Sequence, residues 1–207
     1  AFSCMQAEER LKIQHDNILR MLWVDKDDSK WLANAYFEYP NEDLFDRQEK
    51  LKDPKELIRL MNDMLEAMAY LQRHKMVHGD FRPEYVYFNY SLNKYVLLDR
   101  LIDASPANQA QMNNIFYQDK ALFMSPAMFD TLSAGQVKVR HNPFKSEVFS
   151  LGMVIISLFI DESEILKCYA RRTKCFDVDH FRHIEEHLKK SVFVGHIEDL
   201  IGEYLFL

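Results

Sequence analysis

A single long amphipathic segment constrains this chain more than anything else in it. Asp53 is placed to cap a helix, Pro54 sits in its first turn and Glu56 follows three residues after the cap. Behind them Leu57, Leu60, Met61, Met64, Leu65, Met68 and Leu71 recur at helical spacing, giving one continuous apolar face. A stripe of that length must be buried against something. Val86-Tyr87-Phe88 and Tyr95-Val96-Leu97-Leu98 flank the turn-like Asn89 to Asn93, which predicts a small hairpin directly after the helix.

The rest of the chain sorts around this pair. Residues 4–14 have the polar look of a helix end, with His15-Asp16-Asn17 as a break. Ile18 to Val24 and Trp31 to Phe37, separated by the charged turn Asp25 to Lys30, predict a strand hairpin. Glu38 to Asp43 contains Pro40 and reads as a linker. From Ile102 to Asn142 periodicity is weak, which predicts a long and partly mobile loop region. Helices resume at Ser146 to Ile160, and the final stretch Ile197 to Leu207 ends on apolar residues, so further structure is expected beyond it. Ala1 in place of methionine likewise suggests a start inside a longer chain.

Composition removes several functions. A formal charge of -6 over 207 residues leaves no basic surplus to neutralise phosphates, so nucleic acid is not an expected partner. The longest apolar run, Val148 to Ile160, is broken by Ser150, Gly152 and Ser157 and is shorter than the ~20 residues a bilayer needs, so no membrane partner is expected either. Three cysteines, Cys4, Cys168 and Cys175, make no disulfide framework and favour a reducing compartment, with the cytoplasm as the expected location. Cys168, Cys175, His180, His183 and His187 form a loose set of zinc-type ligands, but without a paired CxxC, and no metal site is assigned to them.

The motif that carries chemistry is Val77-His78-Gly79-Asp80-Phe81-Arg82-Pro83-Glu84-Tyr85. With Leu98-Asp99, Ser125-Pro126 and Lys145-Ser146-Glu147-Val148-Phe149-Ser150-Leu151-Gly152 after it, the order resembles the eukaryotic protein-kinase C-lobe, whose marks are HRDLKPEN, DFG, APE and DVWSLG. The resemblance implies an α+β, protein-kinase-like fold: a partial N-lobe at 1–37 with an αC-like helix and two strands, a hinge-like linker at 38–43, and a helical C-lobe at 44–207, truncated near its end. The family's glycine-rich loop and phosphate-gripping lysine would lie before Ala1. Gln6, with Glu8 and Glu9 close by, falls at the helix position that pairs with that lysine.

By the resemblance, Asp80 stands where the catalytic aspartate takes the substrate hydroxyl proton, and Asp99 where an anionic oxygen holds magnesium. Arg82 keeps the charge of the family's lysine, although a planar fork replaces a point charge poorly. Other positions depart from the pattern. Tyr85 replaces the asparagine that supplies a second magnesium ligand, and Arg100 and Leu101 replace the phenylalanine and glycine after the metal aspartate. Arg100 is placed to pair with Asp99 in the metal's stead. Gly79 replaces an arginine that clamps phosphorylated loops, so switching through Ser105 or Tyr117 is not expected. Ala127 replaces a loop-anchoring glutamate, and Glu147 stands for a shorter aspartate.

The expectation is therefore a pseudokinase, with Asp80, Arg82 and Asp99 as relics, His78 as a packed scaffold residue, and no cofactor. Such a domain would serve as a scaffold or binding module for protein partners. Two alternatives stay open: an active, atypical serine/threonine kinase using ATP and magnesium, and a small-molecule phosphotransferase, since His78-Gly79-Asp80 also resembles the HGD loop of aminoglycoside and choline kinases. The helix start at Lys145 to Gly152 argues against the latter. Met124-Ser125-Pro126 with His141 to Ser146 resembles divergent kinases of ciliated single-celled eukaryotes, which implies a cytoskeletal or ciliary assembly as partner.

Overall fold

A computed structural model describes residues 11–27, 32–98, 123–136, 141–170 and 172–191. Its contacts divide the chain into two compact units, Ala1–Ala104 and Ser105–Leu207.

The first unit is organised by helix α1, Pro54–Arg73. Asp53 accepts from the Lys55 amide at 3.0 Å, as a cap should, but Glu56 does not close a capping box; it turns aside to Arg47 and Tyr95. The apolar face is buried as its spacing predicts. Leu60, Met64 and Ala67 are fully enclosed, Leu65 lies partly open, and each buried Leu or Met contributes about 1.5–3 kcal/mol. At the far end Lys75 adopts φ 58°, the Met76 amide donates to Leu71 and the Lys75 amide to Gln72. That pair of bonds is the Schellman arrangement, here built on lysine rather than glycine, and it turns the chain into the loop at 77–85.

Strands β1, Met21–Asp27, and β2, Leu32–Phe37, form the expected antiparallel hairpin. Glu42–Asp43 is not merely linker. It forms strand β3, which pairs with β4, Val86–Asn89, and β4 in turn with β5, Lys94–Leu97, against which α1 packs. A strap at 17–19 continues this sheet: the Leu19 amide donates to Leu97 and the Leu97 amide to Asn17, both at 2.9 Å.

Between α1 and the sheet lies a buried cation that the sequence does not announce. Arg47 is 4% exposed; it donates to Glu42 at 2.7 Å, to Glu56, and through Nε to the Tyr95 hydroxyl at 3.1 Å, with its guanidinium 3.6 Å from the Phe88 ring centre. Tyr90 donates to the same Glu42 carboxylate. The Tyr90 hydroxyl, and against the effect of burial also Arg47 and Lys50, hold Glu42 down at about 2. Burial opposes ionisation of Glu56, yet the bonds from Tyr95 and Arg47 outweigh it and its value is lowered.

In the second unit, α2, Pro126–Ser133, falls inside the span expected to be loop. Pro126 opens it and Phe129 and Leu132 are buried, but two turns are too short for a periodic signal. Helix α3, Pro143–Ser157, is capped by Asn142, which accepts from Phe144 and Lys145, and is buried almost all round from Ser150 to Ile156. Helix α4, Glu162–Cys168, the short pair β6, Tyr169–Ala170, and β7, Cys175–Phe176, and helix α5, Val178–Ser191, complete it. Edge-on contacts among Phe129, Phe149, Tyr169 and Phe176 fill the interior. Among the described residues no helix is long and apolar enough to cross a membrane.

Candidate functional site

The Schellman turn delivers Val77 and His78 into the interior, 6% and 0% exposed. His78 Nε2 donates to the Leu98 carbonyl at 2.8 Å, and its ring lies 6.0 Å from Phe81 and 5.7 Å from Tyr85. This is the packed histidine that the sequence suggests. Gly79 then takes φ 81°, a conformation that side chains resist even though open space surrounds the position. Phe81 points into the core at 2% exposed. Arg82 is extended at φ -147°, so Asp80 and Arg82, on either side of Phe81, emerge together.

They meet. Arg82 Nε donates to Asp80 Oδ1 at 2.6 Å, with the side chains 14% and 15% exposed. Both charges are largely removed from water, where such a bond is stronger than at a surface. Pro83 starts a tight turn, Pro83–Tyr85, and the Leu98 amide donates back to Tyr85 at 2.7 Å. Through His78 Nε2 and the Tyr85 carbonyl, the loop thus grips both backbone groups of Leu98.

Asp99, next in the chain, lies outside the described residues, as do Arg100, Leu101, Ser105, Tyr117, Gln6, Glu8 and Glu9. Among the described residues from 77 to 85 the side-chain oxygens are the Asp80 carboxylate, bound through Oδ1 by Arg82, the phenol of Tyr85 and the exposed Glu84. Magnesium takes several hard oxygens in octahedral array, more than these residues by themselves supply.

The zinc-type residues do not converge. Among the described residues no three His, Cys, Asp or Glu side chains come together as a metal site. Cys168 is fully enclosed, and burial, with Asp177 adding to it, pushes its thiol up to about 12, whereas Cys175 is exposed. His180 is turned to the Glu164 carbonyl at 3.1 Å. Ala127 is exposed on α2, and Glu147 is buried at the start of α3.

Two features escaped the sequence. Arg47 gave no signal, because one cation in the polar run Asp46 to Lys50 reads as solvated. The Asp80–Arg82 pair was readable in principle, since residues two apart in extended chain share a side.

No protein-family profile matches the sequence. The chain is 25% identical over 114 residues to a Mycoplasma genitalium protein named "Putative serine/threonine-protein kinase", a match that spans 51% of this chain and 30% of that protein. It superposes on the PknI kinase domain of Mycobacterium tuberculosis with a TM-score of 0.50 at 19% identity, covering 75% of this chain and 54% of that one. A point mutant of the same domain gives 0.49 with the same coverage. The chain thus spans about half the length of the solved domains it resembles and under a third of the curated relative.

Proposed function

Taking as premise that the chain has a protein-kinase-like fold of the α+β class, we propose that it is a catalytically inactive member of that superfamily that works as a binding module for protein partners. One observation carries this reading: the bond of Arg82 to Asp80. A general base takes a proton only through an oxygen free to meet the substrate hydroxyl. Here one of the two carboxylate oxygens, Oδ1, is held by the Arg82 guanidinium, 2.6 Å away and mostly dry, which turns it from an incoming hydroxyl. Tyr85 supports the reading from the other side, because its phenol offers no anionic ligand and its ring is packed on His78. What remains is a braced loop without a working acid–base pair, and a fold of this kind serves equally well as a rigid platform. For the partner we propose a cytoskeletal or ciliary protein, on the sequence resemblance alone; co-sedimentation with microtubules checks it.

The retained Asp80 and the name of the Mycoplasma genitalium relative favour a second reading, an active serine/threonine kinase using ATP and magnesium. Thermal unfolding of the full-length protein with ATP, with and without magnesium, separates the two. The inactive reading expects no magnesium-dependent stabilisation. A shift approaching the ~2.7 kcal/mol that a ligand confers at a hundred times its Kd, with phosphate transfer that Asp80→Asn abolishes, would establish the kinase instead.

A further inference from the structure

Helix α5 is anchored along one stripe. Phe181, Ile184 and Leu188 recur at helical spacing and are buried, which fixes the rotation of the helix about its own axis. The residue before each of them is a histidine: His180, His183 and His187. His180 is half-buried and turned to the Glu164 carbonyl, but His183 and His187 are exposed. These two are four residues apart, so their β-carbons stand about 5–6 Å from one another on the same side of the helix. A single helical turn offers two imidazoles to one zinc ion at this spacing, as in helices of the H-E-x-x-H and H-x-x-E-H kinds, and residues 183–187 read His-Ile-Glu-Glu-His.

The charges around the pair do not repel a cation. On α5 itself Arg182 lies 3.6 Å from Asp179 and Lys189 donates to Glu185 at 2.6 Å, so each of these cations is matched by an anion of the same helix. Lys190 is exposed beside the equally exposed Glu186. From α4, Glu164 brings a further carboxylate. Its bond from Lys167 does most to lower its pKa, and His180 and His183 add to the lowering, which puts His183 within reach of its charge.

We propose that His183 and His187 form a two-nitrogen site for zinc, or a neighbouring first-row divalent cation, on the exposed side of α5. Imidazole nitrogen suits these ions, whereas magnesium requires oxygen. The buried stripe holds the two backbone positions in place with or without the ion, so coordination has only two exposed side chains to order. No third His, Cys, Asp or Glu stands with them among the described residues, and water completes a tetrahedral ion. Both rings must be unprotonated to bind, so acid competes with the metal.

Isothermal titration of chelator-stripped full-length protein with zinc chloride tests the site. A chelate needs both rings at once. His183→Asn and His187→Asn should therefore each weaken binding by at least ~10-fold, the least that removing even a group behind a ligand costs, while His180→Asn and Cys175→Ser leave it unchanged. Copper should bind more tightly than zinc. Backbone hydrogen exchange over residues 183–187 should slow when zinc is added to the wild type and not in either variant. Binding that survives in the double variant, or that excess magnesium competes away, would overturn the site. So would single variants that each remove one ion without loss of affinity, the mark of two separate histidines, or the absence of saturable zinc uptake. Both histidines are exposed, and far-UV circular dichroism of each variant shows that a loss of binding is not a loss of fold.

Discussion

Replacing Arg47 by alanine should cost the first unit about 3–5 kcal/mol, a large share of the ~5–15 kcal/mol that stabilises a domain. The size follows from exposure: the Arg47, Glu42 and Glu56 side chains are 5%, 18% and 15% exposed, so this is not the surface ion pair whose contribution is about 0–1 kcal/mol. Two charge-assisted bonds at about 1.5–3 kcal/mol each would be lost, together with a cation–π contact to Phe88 of about 1–2 kcal/mol. These terms are not additive, because the carboxylates relax toward water once released. The larger effect is that two half-buried anions and the Tyr95 hydroxyl would be left around an empty site. Urea unfolding followed by far-UV circular dichroism measures the loss, and an unchanged m-value certifies that the folded and unfolded states are comparable. The triple variant Arg47→Met, Glu42→Gln, Glu56→Gln, which removes the three least exposed charges together, should be markedly more stable than Arg47→Ala. A cost below ~1 kcal/mol for Arg47→Ala, or a triple variant no better than the single, would refute the claim that desolvated charge holds α1 to the sheet.

The same cluster predicts an acid response. Glu42 is held at about 2 against an ordinary 4.5, so the stability it contributes is full above 4.5 and drains away as pH falls toward 2; urea midpoints across that range should drop, and Glu42→Gln should flatten the drop. Gly79→Ala should cost about 1–2 kcal/mol in urea unfolding although nothing beyond the adjoining residues lies within 4 Å of the new methyl, because the penalty arises from the backbone at φ 81°. Asp53→Ala should cost about 0.5–2 kcal/mol through the lost cap of α1, read from the same urea titration. Iodoacetamide should label Cys175 in the native protein and leave Cys168 untouched until unfolding, as peptide mass spectrometry would show.

The elements that could be read in advance were long or bracketed. Helix α1 carries its cap, its proline and a continuous apolar face in one stretch, and the β4–β5 hairpin has apolar runs on both sides of a turn in which Asn93 supplies the positive φ. Helix α2 has two buried apolar residues in eight, too few to define a period. Strand β3 is two residues long, and its partner lies more than forty positions away, so no local pattern reveals it. At the site, residue types were legible and their engagements were not. Asp80 and Arg82 could be assigned positions in a known motif, but that each occupies the other follows from the burial of Phe81 between them.

The strap at 17–19 bears on how the chain is made. The Asn17 side chain donates to the Tyr95 carbonyl across 78 positions of sequence, and the buried Ile18 and Leu19 lie on the strap that pairs with Leu97 of β5. A ribosome adding about 5–20 residues per second would take roughly 4–16 s to supply that partner. Throughout that interval Ile18, Leu19 and the edge beside them stand open to whatever else binds nascent apolar strands, and α1 emerges before the surface that is to cover it. Assembly of the first unit therefore waits on its last strand, and a pause in translation just before residue 94 would prolong its exposure most.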